Sequence, residues 1–283
     1  MKAASPRQVE STKSVGLIAG SGVFPLRFAA SAKRQGHRVV AVAHRGDTDP
    51  SIESLCDEVK WVHLGQLGKM VKTFQAAGVT EAAMAGGVAK TKLFGGIRPD
   101  LTALKLAPRL KSFDNDSLLK AIAGVFEDEG VKIVDPAPYC PDLVAKLGPY
   151  GKRKPDAKVQ ADIVLGMKVS NAISRAEIGQ TACVKGGTIV AVEAMEGTDR
   201  CIRRAGEVGG KGVVVVKIAM PEQDMRFDAP CIGPGTVQTC IEIGAAALVF
   251  EADRAIVLDA EEITAMADAA KLSLVGVRAD GTY

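Results

Sequence analysis

Aromatic side chains and net charge are both scarce in this sequence of 283 residues. Aromatic residues make up 4% of the chain, with one tryptophan, and 36 Lys and Arg residues against 33 Asp and Glu residues leave a net charge of +3. A nucleic-acid-binding domain usually shows a basic cluster or stacking aromatics, so we predict no nucleic-acid partner. The 47% hydrophobic and 24% charged residues are typical of a globular protein.

Metal-binding and thiol motifs are also missing. The six cysteines form no C-x-x-C pair, which excludes zinc-ribbon spacing and indicates free thiols in a reducing compartment. The three histidines are His37, His44 and His63, all near predicted strands of the first quarter. We interpret them as structural residues rather than as metal ligands or as activators of a cysteine nucleophile.

Long apolar runs are absent, since none reaches the ~18 residues that span a bilayer. The segment Val15–Leu26, which small residues follow, imitates a secretory signal. Arg27 interrupts it, however, and the chain continues as a regular strand–helix–strand unit. We therefore predict a cytoplasmic protein with residues 1–14 as a polar tail.

Strands and helices alternate through the first half of the chain, which predicts an α/β fold. Residues 15–147 are predicted to form a Rossmann-like domain with a parallel sheet, because helices separate successive strands. The predicted strands are Val15–Gly20, His37–His44, Trp61–Leu64, Ala82–Ala85 and Val131–Val134, and the predicted helices are Phe24–Gln35, Leu67–Ala77, Leu101–Leu110 and Leu118–Glu129, the last capped by Asp116.

A basic stretch rich in Gly and Pro, residues 148–158, predicts a linker. Beyond it, residues 159–283 are predicted to form a mixed α/β domain that carries an acidic cluster. Its predicted strands are Gln180–Val184, Thr188–Val192, Val213–Ala219, Ala247–Glu251 and Leu274–Val277, and its predicted helices are Val159–Ser174, a short helix capped by Thr198 or Asp199, Thr236–Ala245 and Glu261–Ala270.

A glycine-rich turn follows the first predicted strand. Gly20, Ser21 and Gly22 stand where backbone N–H groups can contact a phosphate or a sugar. Pro25 replaces the third glycine of the G-x-G-x-x-G fingerprint, and Arg45 follows the second strand where a dinucleotide site has a carboxylate, so NAD is disfavoured. The alternative interpretation is a tight turn without a ligand.

A second glycine pair, Gly86 and Gly87, follows another predicted strand. Ligands of open α/β sheets collect beyond the carboxyl ends of strands, so we predict substrate contacts here, with Lys90 at a phosphate. A solvated loop lysine is the alternative. Residues 112–116 are a weaker candidate, because helix capping by Asp116 explains part of that pattern.

Three carboxylates, Glu193, Glu196 and Asp199, lie within seven residues after a hairpin strand. Ligand sets made of oxygen alone suit Mg²⁺ rather than zinc. We predict metal ligation by these acids, with Gly197 and Thr198 beside the substrate. The alternative is the capped start of a helix.

The strongest candidate begins with Lys217 on a continuous apolar strand that runs into residues 221–228. If the backbone stays extended, Asp224, Arg226 and Asp228 point to one side of it. The carboxylates would then take Mg²⁺, while the guanidinium and the lysine would take phosphate oxygens. Surface ion pairing is the alternative.

The same segments resemble a known family. The stretches GLIAGSG, ADIVLG, GQTACVKGGTIVAVEAMEGTD and VKIAMPEQDMRFDAPCIGPGTV are similar to the UDP-2,3-diacylglucosamine pyrophosphatases of lipid A biosynthesis, the type unrelated to calcineurin-like phosphoesterases. The resemblance covers residues 15–277 and is most specific around residues 193–199 and 223–228. The tail before Ser14 departs from the family pattern, and Glu177 stands where the family has Asp.

The resemblance implies a two-domain cytoplasmic enzyme that visits the inner membrane to collect an acylated UDP-glucosamine. It implies that water, with Mg²⁺ or with Mn²⁺ as a substitute, attacks the sugar-side phosphorus and yields UMP and 2,3-diacylglucosamine 1-phosphate (lipid X). Asp224 would be the key acid, as metal ligand or general base. The basic residues 152–154 would add attraction to an anionic membrane, and a homo-oligomer is left open.

On these grounds we expect three sets of site residues. The expected catalytic residues are Lys217, Asp224, Arg226 and Asp228. The expected metal ligands are Glu193, Glu196, Asp199, Asp224 and Asp228. The expected substrate contacts are Gly20, Ser21, Gly22, Gly86, Gly87, Lys90, Gly197, Thr198 and Gln223.

Three other interpretations compete with this one. A nicotinamide- or flavin-dependent oxidoreductase disagrees with Pro25 and Arg45. A non-catalytic sugar-nucleotide sensor would bind UDP-sugars but has no use for acids that bind Mg²⁺. A purely structural role disagrees with the acids at Asp224 and Asp228.

Overall fold

A computed structural model describes residues 13–87, 98–105, 115–219, 224–227 and 229–283. The chain divides into two compact units between Cys140 and Pro141. The segment that we predicted as a linker, residues 148–158, lies within the second unit. Within the described ranges, no helix is both long enough and apolar enough to cross a membrane.

The first unit contains a parallel five-stranded sheet among its described residues. Its strands are β1 (Ser14–Ala19), β2 (Arg38–His44), β3 (Glu58–Val62), β4 (Glu81–Ala85) and β5 (Lys132–Val134), and its helices are α1 (Phe24–Arg34), α2 (Leu67–Ala76), α3 (Leu101–Leu104) and α4 (Asn115–Asp128). The strand order is β3-β2-β1-β4-β5, and every pair is parallel. The chain adds β2 and β3 on one side of β1 and then β4 and β5 on the other side. The loops after β1 and β4 therefore lie side by side at a topological switch point.

The core of the first unit forms because its central strands are apolar on both faces, which is typical of parallel sheets. Phe28, Phe74 and Phe126 are fully buried against them, and the rings of Phe74 and Phe126 lie 6.1 Å apart. Gly16 lets β1 and β4 approach closely, since a Cβ there would lie 2.7 Å from that of Ala82.

The second unit is a mixed α/β structure, so the predicted fold class is confirmed for both halves. Its strands are β6 (Gly148–Pro149), β7 (Thr181–Lys185), β8 (Thr188–Val192), β9 (Val214–Lys217), β10 (Cys231–Ile232), β11 (Ala247–Glu251), β12 (Ile256–Val257) and β13 (Ser273–Val277), and its helices are α5 (Ala157–Arg175), α6 (Thr198–Gly209), α7 (Pro234–Glu242) and α8 (Ala260–Ala270). The main sheet has the order β6-β13-β11-β9-β7-β8, and β10 pairs with β12 separately. Strands β9, β11 and β13 are parallel, whereas β6, β7 and β8 join antiparallel.

The valines of β9 show why this strand is apolar throughout. Val214 and Val216 pack with Ile163 and Met167 of α5 in one core, while Val215 belongs to a second core that α6, α7 and α8 cover. Because side chains alternate along a strand, a sheet buried on both faces requires apolar residues at every position.

Two predicted helix caps are wrong. Helix α6 begins at Thr198 and its N-cap is Gly197, at φ +82°, so neither Thr198 nor Asp199 is the cap. Glycine takes this left-handed conformation at little cost, which lets the chain turn into the helix one residue earlier. Asp116 lies within the first turn of α4 rather than before it. Residues 106–110 of the predicted helix that starts at Leu101 lie outside the described residues.

Candidate functional site

The glycine-rich loops after β1 and β4 hold each other at the switch point of the first sheet. The Gly20 N–H donates to the Ala85 carbonyl at 2.8 Å, and Ser21 and Gly87 exchange backbone hydrogen bonds of 2.8 and 3.2 Å. The Ser21 hydroxyl also donates to the Gly87 carbonyl at 2.9 Å, across 66 positions of sequence. The structure therefore brings two groups of sequence-predicted residues together.

Close contact between these loops requires two of the glycines without any ligand. A Cβ on Gly20 would lie 2.5 Å from the Gly87 carbonyl oxygen, and one on Gly86, at φ +84°, would lie 2.4 Å from the Ser21 carbonyl oxygen. Gly22 differs, because at φ +86° no atom of the described residues lies within 4 Å of the place of a Cβ. Gly22 is thus the glycine of the first loop that faces open space.

His44, the last residue of β2, is tied to the end of β1. Its Nδ1 lies 2.9 Å from the Ala19 carbonyl oxygen, to which the Thr48 hydroxyl donates at 2.6 Å. Burial lowers the pKa of His44, against smaller raising effects of the Ala19 carbonyl and Asp47. The imidazole of His44 is therefore neutral and hydrogen-bonded, which fits the structural role that we inferred for it from the sequence.

In the second unit, polar side chains gather at one edge of the main sheet. Strands β8, β9 and β11 end at this edge and β7 begins there, since β7 is antiparallel to both of its neighbours. Lys217 of β9 pairs with Thr181 of β7, whose carbonyl accepts from the Glu193 N–H at 2.8 Å. Glu193, Lys217 and Glu251 are 7%, 8% and 7% exposed, so three charged groups are buried along one edge.

Glu193 has one partnered and one unpartnered carboxylate oxygen. Its Oε1 accepts from the Thr198 hydroxyl at 3.0 Å, whereas Oε2 is buried and has no hydrogen-bond partner within the described part of the chain. Thr181 Oγ1 and Gln180 Oε1 are also buried without a hydrogen-bond partner among the described residues. Burying an unpaired charge is costly, so the Glu193 carboxylate is undercompensated within the described residues.

Lys217 and Glu251 complete this edge. The Lys217 ammonium donates to the Cys231 carbonyl at 3.1 Å. Glu251 Oε2 accepts from the Ala219 N–H at 3.4 Å, and Glu251 Oε1 lies 3.7 Å from the Arg254 guanidinium. Ala219, just after β9, is therefore bonded to a buried glutamate, and Cys231 of β10 is bonded to a buried lysine.

Asp224 and Arg226 form a tight turn. The Phe227 N–H donates to the Asp224 carbonyl at 3.0 Å, and Asp224 Oδ1 accepts from the Arg226 N–H at 3.2 Å. The guanidinium donates to both oxygens of this carboxylate, from Nε to Oδ1 at 2.9 Å and to Oδ2 at 3.1 Å, and from Nη2 to Oδ2 at 2.8 Å. It also lies 4.8 Å from the Phe227 ring centre.

The extended backbone on which a common face of these side chains depends is therefore not present at residues 224–227. An Asp side chain readily accepts from the N–H two residues later, and here the paired guanidinium adds charge-assisted bonds to that turn. Asp224 and Arg226 consequently form an ion pair across a turn and do not lie side by side on one face of an extended segment.

Glu196 and Asp199 do not join Glu193 in a metal site. The Arg204 guanidinium pairs with Glu196 and lowers the pKa of that carboxyl, and Asp199 is exposed in the first turn of α6. Within the described ranges, no group of three or more His, Cys, Asp or Glu side chains could hold a metal ion. The predicted site residues Lys90, Gln223 and Asp228 lie outside those ranges.

Two family models match the chain, one in each half. The LpxI N-terminal domain matches residues 14–143, and the LpxI C-terminal domain matches residues 146–275. The chain belongs to the LpxI family. The relative named UDP-2,3-diacylglucosamine pyrophosphatase LpxI, from Caulobacter vibrioides, is 33% identical over 276 residues, which cover 94% of this chain and 98% of that protein. The family that the sequence resembles is therefore confirmed.

A solved structure, the biotin carboxylase domain dimer of Hydrogenobacter thermophilus 2-oxoglutarate carboxylase with MgADP, ADP and bicarbonate, matches at a TM-score of 0.28 and 15% identity. The match covers 70% of this chain and 41% of that chain, so less than half of the solved chain is spanned. Neither fold nor function follows from a likeness this weak.

Sequence reasoning missed several polar residues of this LpxI family member. Gln180, Thr181 and Glu251 lie at the sheet edge beside Glu193 and Lys217 but stood out only as parts of strands. The available signal was a polar residue at the end of an otherwise apolar strand. That signal becomes specific once the strand order shows which strand ends share an edge.

Proposed function

We propose that this protein hydrolyses the pyrophosphate bond of UDP-2,3-diacylglucosamine in lipid A biosynthesis. Water would attack the sugar-side phosphorus, and the products would be UMP and 2,3-diacylglucosamine 1-phosphate (lipid X). The observation that carries this proposal is the match along 98% of a relative named for that activity. A match over nearly its full length includes both units and every segment that bears the candidate residues.

Charge along the edge of the second sheet supports pyrophosphate chemistry. Phosphoryl transfer depends on positioning and on neutralising charge more than on covalent steps. Lys217 and Arg226 are the cations that would bind phosphate oxygens. The Lys217 ammonium donates to a neutral carbonyl, a partner that a phosphate could replace, whereas Arg226 is bonded to Asp224.

The buried oxygens around Glu193 support a divalent cation. Glu193 Oε2 is a buried carboxylate oxygen without a hydrogen-bond partner in the described residues, and oxygen ligands suit Mg²⁺, with Mn²⁺ as a substitute. Glu193, Asp224 and Asp228 would hold it. When bound, the ion would supply Lewis-acid neutralisation of the phosphoryl oxygens.

Asp224 would act as a metal ligand or as the base that takes the proton of water. Its carboxylate is shared with Arg226 and is only partly buried, with 22% of its side chain exposed. That exposure leaves it accessible to substrate while the guanidinium fixes its orientation. Arg226 would then serve two purposes, as a positioning residue for Asp224 and as a phosphate contact.

The proposal includes a location and partners. We expect a cytoplasmic protein that touches the inner membrane transiently, because its substrate carries acyl chains. Basic residues at 152–154 are exposed and provide attraction to an anionic surface. A homo-oligomer is compatible with the proposal and is not required by it.

Release of UMP from UDP-2,3-diacylglucosamine tests the proposal. Wild type and Asp224→Asn are assayed with Mg²⁺ and with EDTA, and circular dichroism verifies folding. Asp156→Asn is the control, since Asn replaces Asp well at the N-cap of α5. We expect metal-dependent release that only Asp224→Asn loses, by at least about a hundredfold. A folded wild type that binds UDP-sugars without releasing UMP would instead be a sugar-nucleotide sensor.

A further inference from the structure

The peptide group that precedes the Cα of Glu193 is hydrogen-bonded at both of its ends. Its carbonyl, that of Val192, accepts from Nη2 of Arg204 at 2.9 Å. Its N–H, that of Glu193, donates to the Thr181 carbonyl at 2.8 Å. Arg204 belongs to α6 and Thr181 begins β7, so two different elements fix this one peptide group.

The peptide group that follows is fixed by Glu196. Oε2 of that carboxylate accepts from the Ala194 N–H at 3.0 Å, and Oε1 accepts from Nη2 of Arg204, the same nitrogen that binds the Val192 carbonyl. Because peptide groups are planar, only φ and ψ are free at the Cα between two of them. Bonds on both sides of Glu193 therefore restrict both angles and set the direction of its side chain.

The carboxylate of Glu193 is oriented in the same way from α6. Oε1 accepts from the hydroxyl of Thr198, the first residue of that helix, whereas Oε2 is buried without a hydrogen-bond partner among the residues that the structure describes. One helix thus fixes the backbone of Glu193 through Arg204 and its carboxylate through Thr198. The oxygen that receives no donor from this arrangement is Oε2.

The Arg204–Glu196 pair contributes geometry rather than stability. Its side chains are 46% and 25% exposed, and exposed ion pairs add little to the free energy of unfolding, because water screens them. A planar guanidinium presents its N–H donors in a fixed arrangement, which a flexible lysine does not. Arg204 can therefore hold a carbonyl and a carboxylate in a set relation to each other.

We propose that Arg204, acting through Glu196 and the Val192 carbonyl, is a positioning residue that directs Glu193 Oε2 toward a divalent cation. Partners that orient a metal ligand typically change metal affinity or activity by about 10–100-fold. Glu196 thereby has a positioning role in place of the direct ligation expected from the sequence. This inference rests on the proposed function, because Glu193 is one of the acids that would hold the cation there.

Binding of Mn²⁺ to the full-length protein, followed by the electron paramagnetic resonance signal of the free ion, tests the inference without turnover. We expect an affinity at least about tenfold weaker in Arg204→Ala and in Glu196→Gln, since the amide has an acceptor at only one of the two bonded positions. Arg204→Lys keeps the charge and should recover only part of the affinity. Arg203→Ala removes the neighbouring arginine of α6 and its ion pair with Glu242, and as the control it should bind as wild type does.

A double-mutant cycle separates positioning from a general structural role. Arg204→Ala alone should lower the kcat of UMP release by at least about tenfold. It should add little to Glu193→Gln, because a positioning residue has no further effect once the acid that it positions is gone. The urea midpoint of Arg204→Ala should stay close to that of wild type.

The outcomes separate this inference from the proposed function. Wild-type Mn²⁺ affinity in Arg204→Ala and Glu196→Gln, release of UMP by a wild type that binds no Mn²⁺, or additive losses of kcat with Glu193→Gln would overturn the inference while the function stands. Mn²⁺ binding that depends on Arg204 and Glu193, without release of UMP, would overturn the function while the inference stands. If Arg204→Ala fails to fold, Glu196→Gln and Arg204→Lys decide the result.

Discussion

Asp224 and Glu193, the two acids at the centre of the proposed chemistry, are stabilised in different ways. Asp224 is neutralised by the Arg226 guanidinium, which donates to both of its carboxylate oxygens. Glu193 is more buried, and a single hydroxyl, from Thr198, donates to its carboxylate within the described residues. A buried acid with so little compensation needs a reason in a native fold, and a bound cation would provide one.

Glu193→Gln should separate function from stability. The amide keeps an oxygen for Thr198 but removes a buried charge, so the free energy of unfolding should stay constant or rise. UMP release should fall by about a hundredfold, because a neutral amide holds a divalent cation poorly. Denaturation in urea and the release assay check both halves, with the exposed Glu207→Gln as control. Full activity with altered stability would show that Glu193 is structural only.

His44→Gln should flatten the dependence of stability on pH. Burial lowers the folded-state pKa of His44 below its usual 6.5, so the unfolded chain binds the proton more readily. Stability from the neutral imidazole is therefore present above the unfolded pKa and is lost as pH falls below it. A Gln side chain can still donate to the Ala19 carbonyl and does not titrate.

The measurement for His44 is the free energy of unfolding in urea between about pH 7 and about pH 5. Wild type should lose more stability over this interval than His44→Gln. His37→Gln leaves the contacts of His44 intact and is the control. Parallel curves for wild type and His44→Gln would contradict the assignment.

Packing at the level of elements depends on small residues where a helix meets a sheet. Helix α5 covers one face of the second sheet, and a Cβ on Gly166 would lie 2.5 Å from a methyl of Val216. Helix α4 of the first unit also contains a glycine, Gly124, but within the described part of the chain no atom lies within 4 Å of the place of its Cβ. Replacing either glycine by alanine raises the local helix propensity equally, but only at Gly166 does the added methyl group meet a neighbouring side chain.

Gly166→Ala should destabilise the protein by about 1–3 kcal/mol, since valine has few rotamers with which to move away. Gly124→Ala should stabilise it by about 1 kcal/mol, because alanine favours the helix and meets no obstacle. Urea denaturation followed by circular dichroism compares the two substitutions. Effects of the same sign would mean that helix propensity, and not the contact with β9, dominates.

At the scale of the whole molecule, charge is distributed so that a basic segment of the second unit remains exposed. Lys152, Arg153 and Lys154 are exposed, and the Lys152 N–H is fixed by Asp268 at 2.7 Å. The Arg153 guanidinium donates to the Lys271 carbonyl. Together with Lys271, this segment presents several cations on an ordered surface, as electrostatic contact with an anionic membrane requires.

Replacing Lys152, Arg153 and Lys154 by Ala should weaken binding to anionic vesicles at low salt by at least about tenfold. The difference should shrink at physiological salt, because exposed charges are screened. Co-sedimentation with vesicles measures both. A second triple variant, Lys60, Lys72 and Lys132 to Ala, removes the same charge from exposed positions of the first unit. Equal loss in both variants would point to net charge alone.

Local patterns in the sequence were sufficient for the elements and for the family. The apolar runs at Leu17 and Val215 predicted buried strands, and the alternation of strands with helices predicted the α/β class. Hydrophobic periodicity and turn residues are properties of neighbouring positions, so a single chain displays them directly. The acids around Glu193 and Asp224 were likewise recognisable as candidate metal ligands, because a carboxylate can bind a cation whatever fold it lies in.

Contacts between distant positions were decided only by tertiary structure. The pairing of Ser21 with Gly87 and the shared sheet edge of Thr181, Glu193 and Lys217 both depend on strand order. The strand order depends on how much apolar area the whole unit buries. A short window of sequence does not contain that information, because the buried area depends on contacts between distant positions. Even the turn at Asp224 followed from a side chain bonding its own backbone, where the strand-like pattern of residues had indicated an extended segment. The sequence therefore determined which groups are present, and folding determined which of them meet.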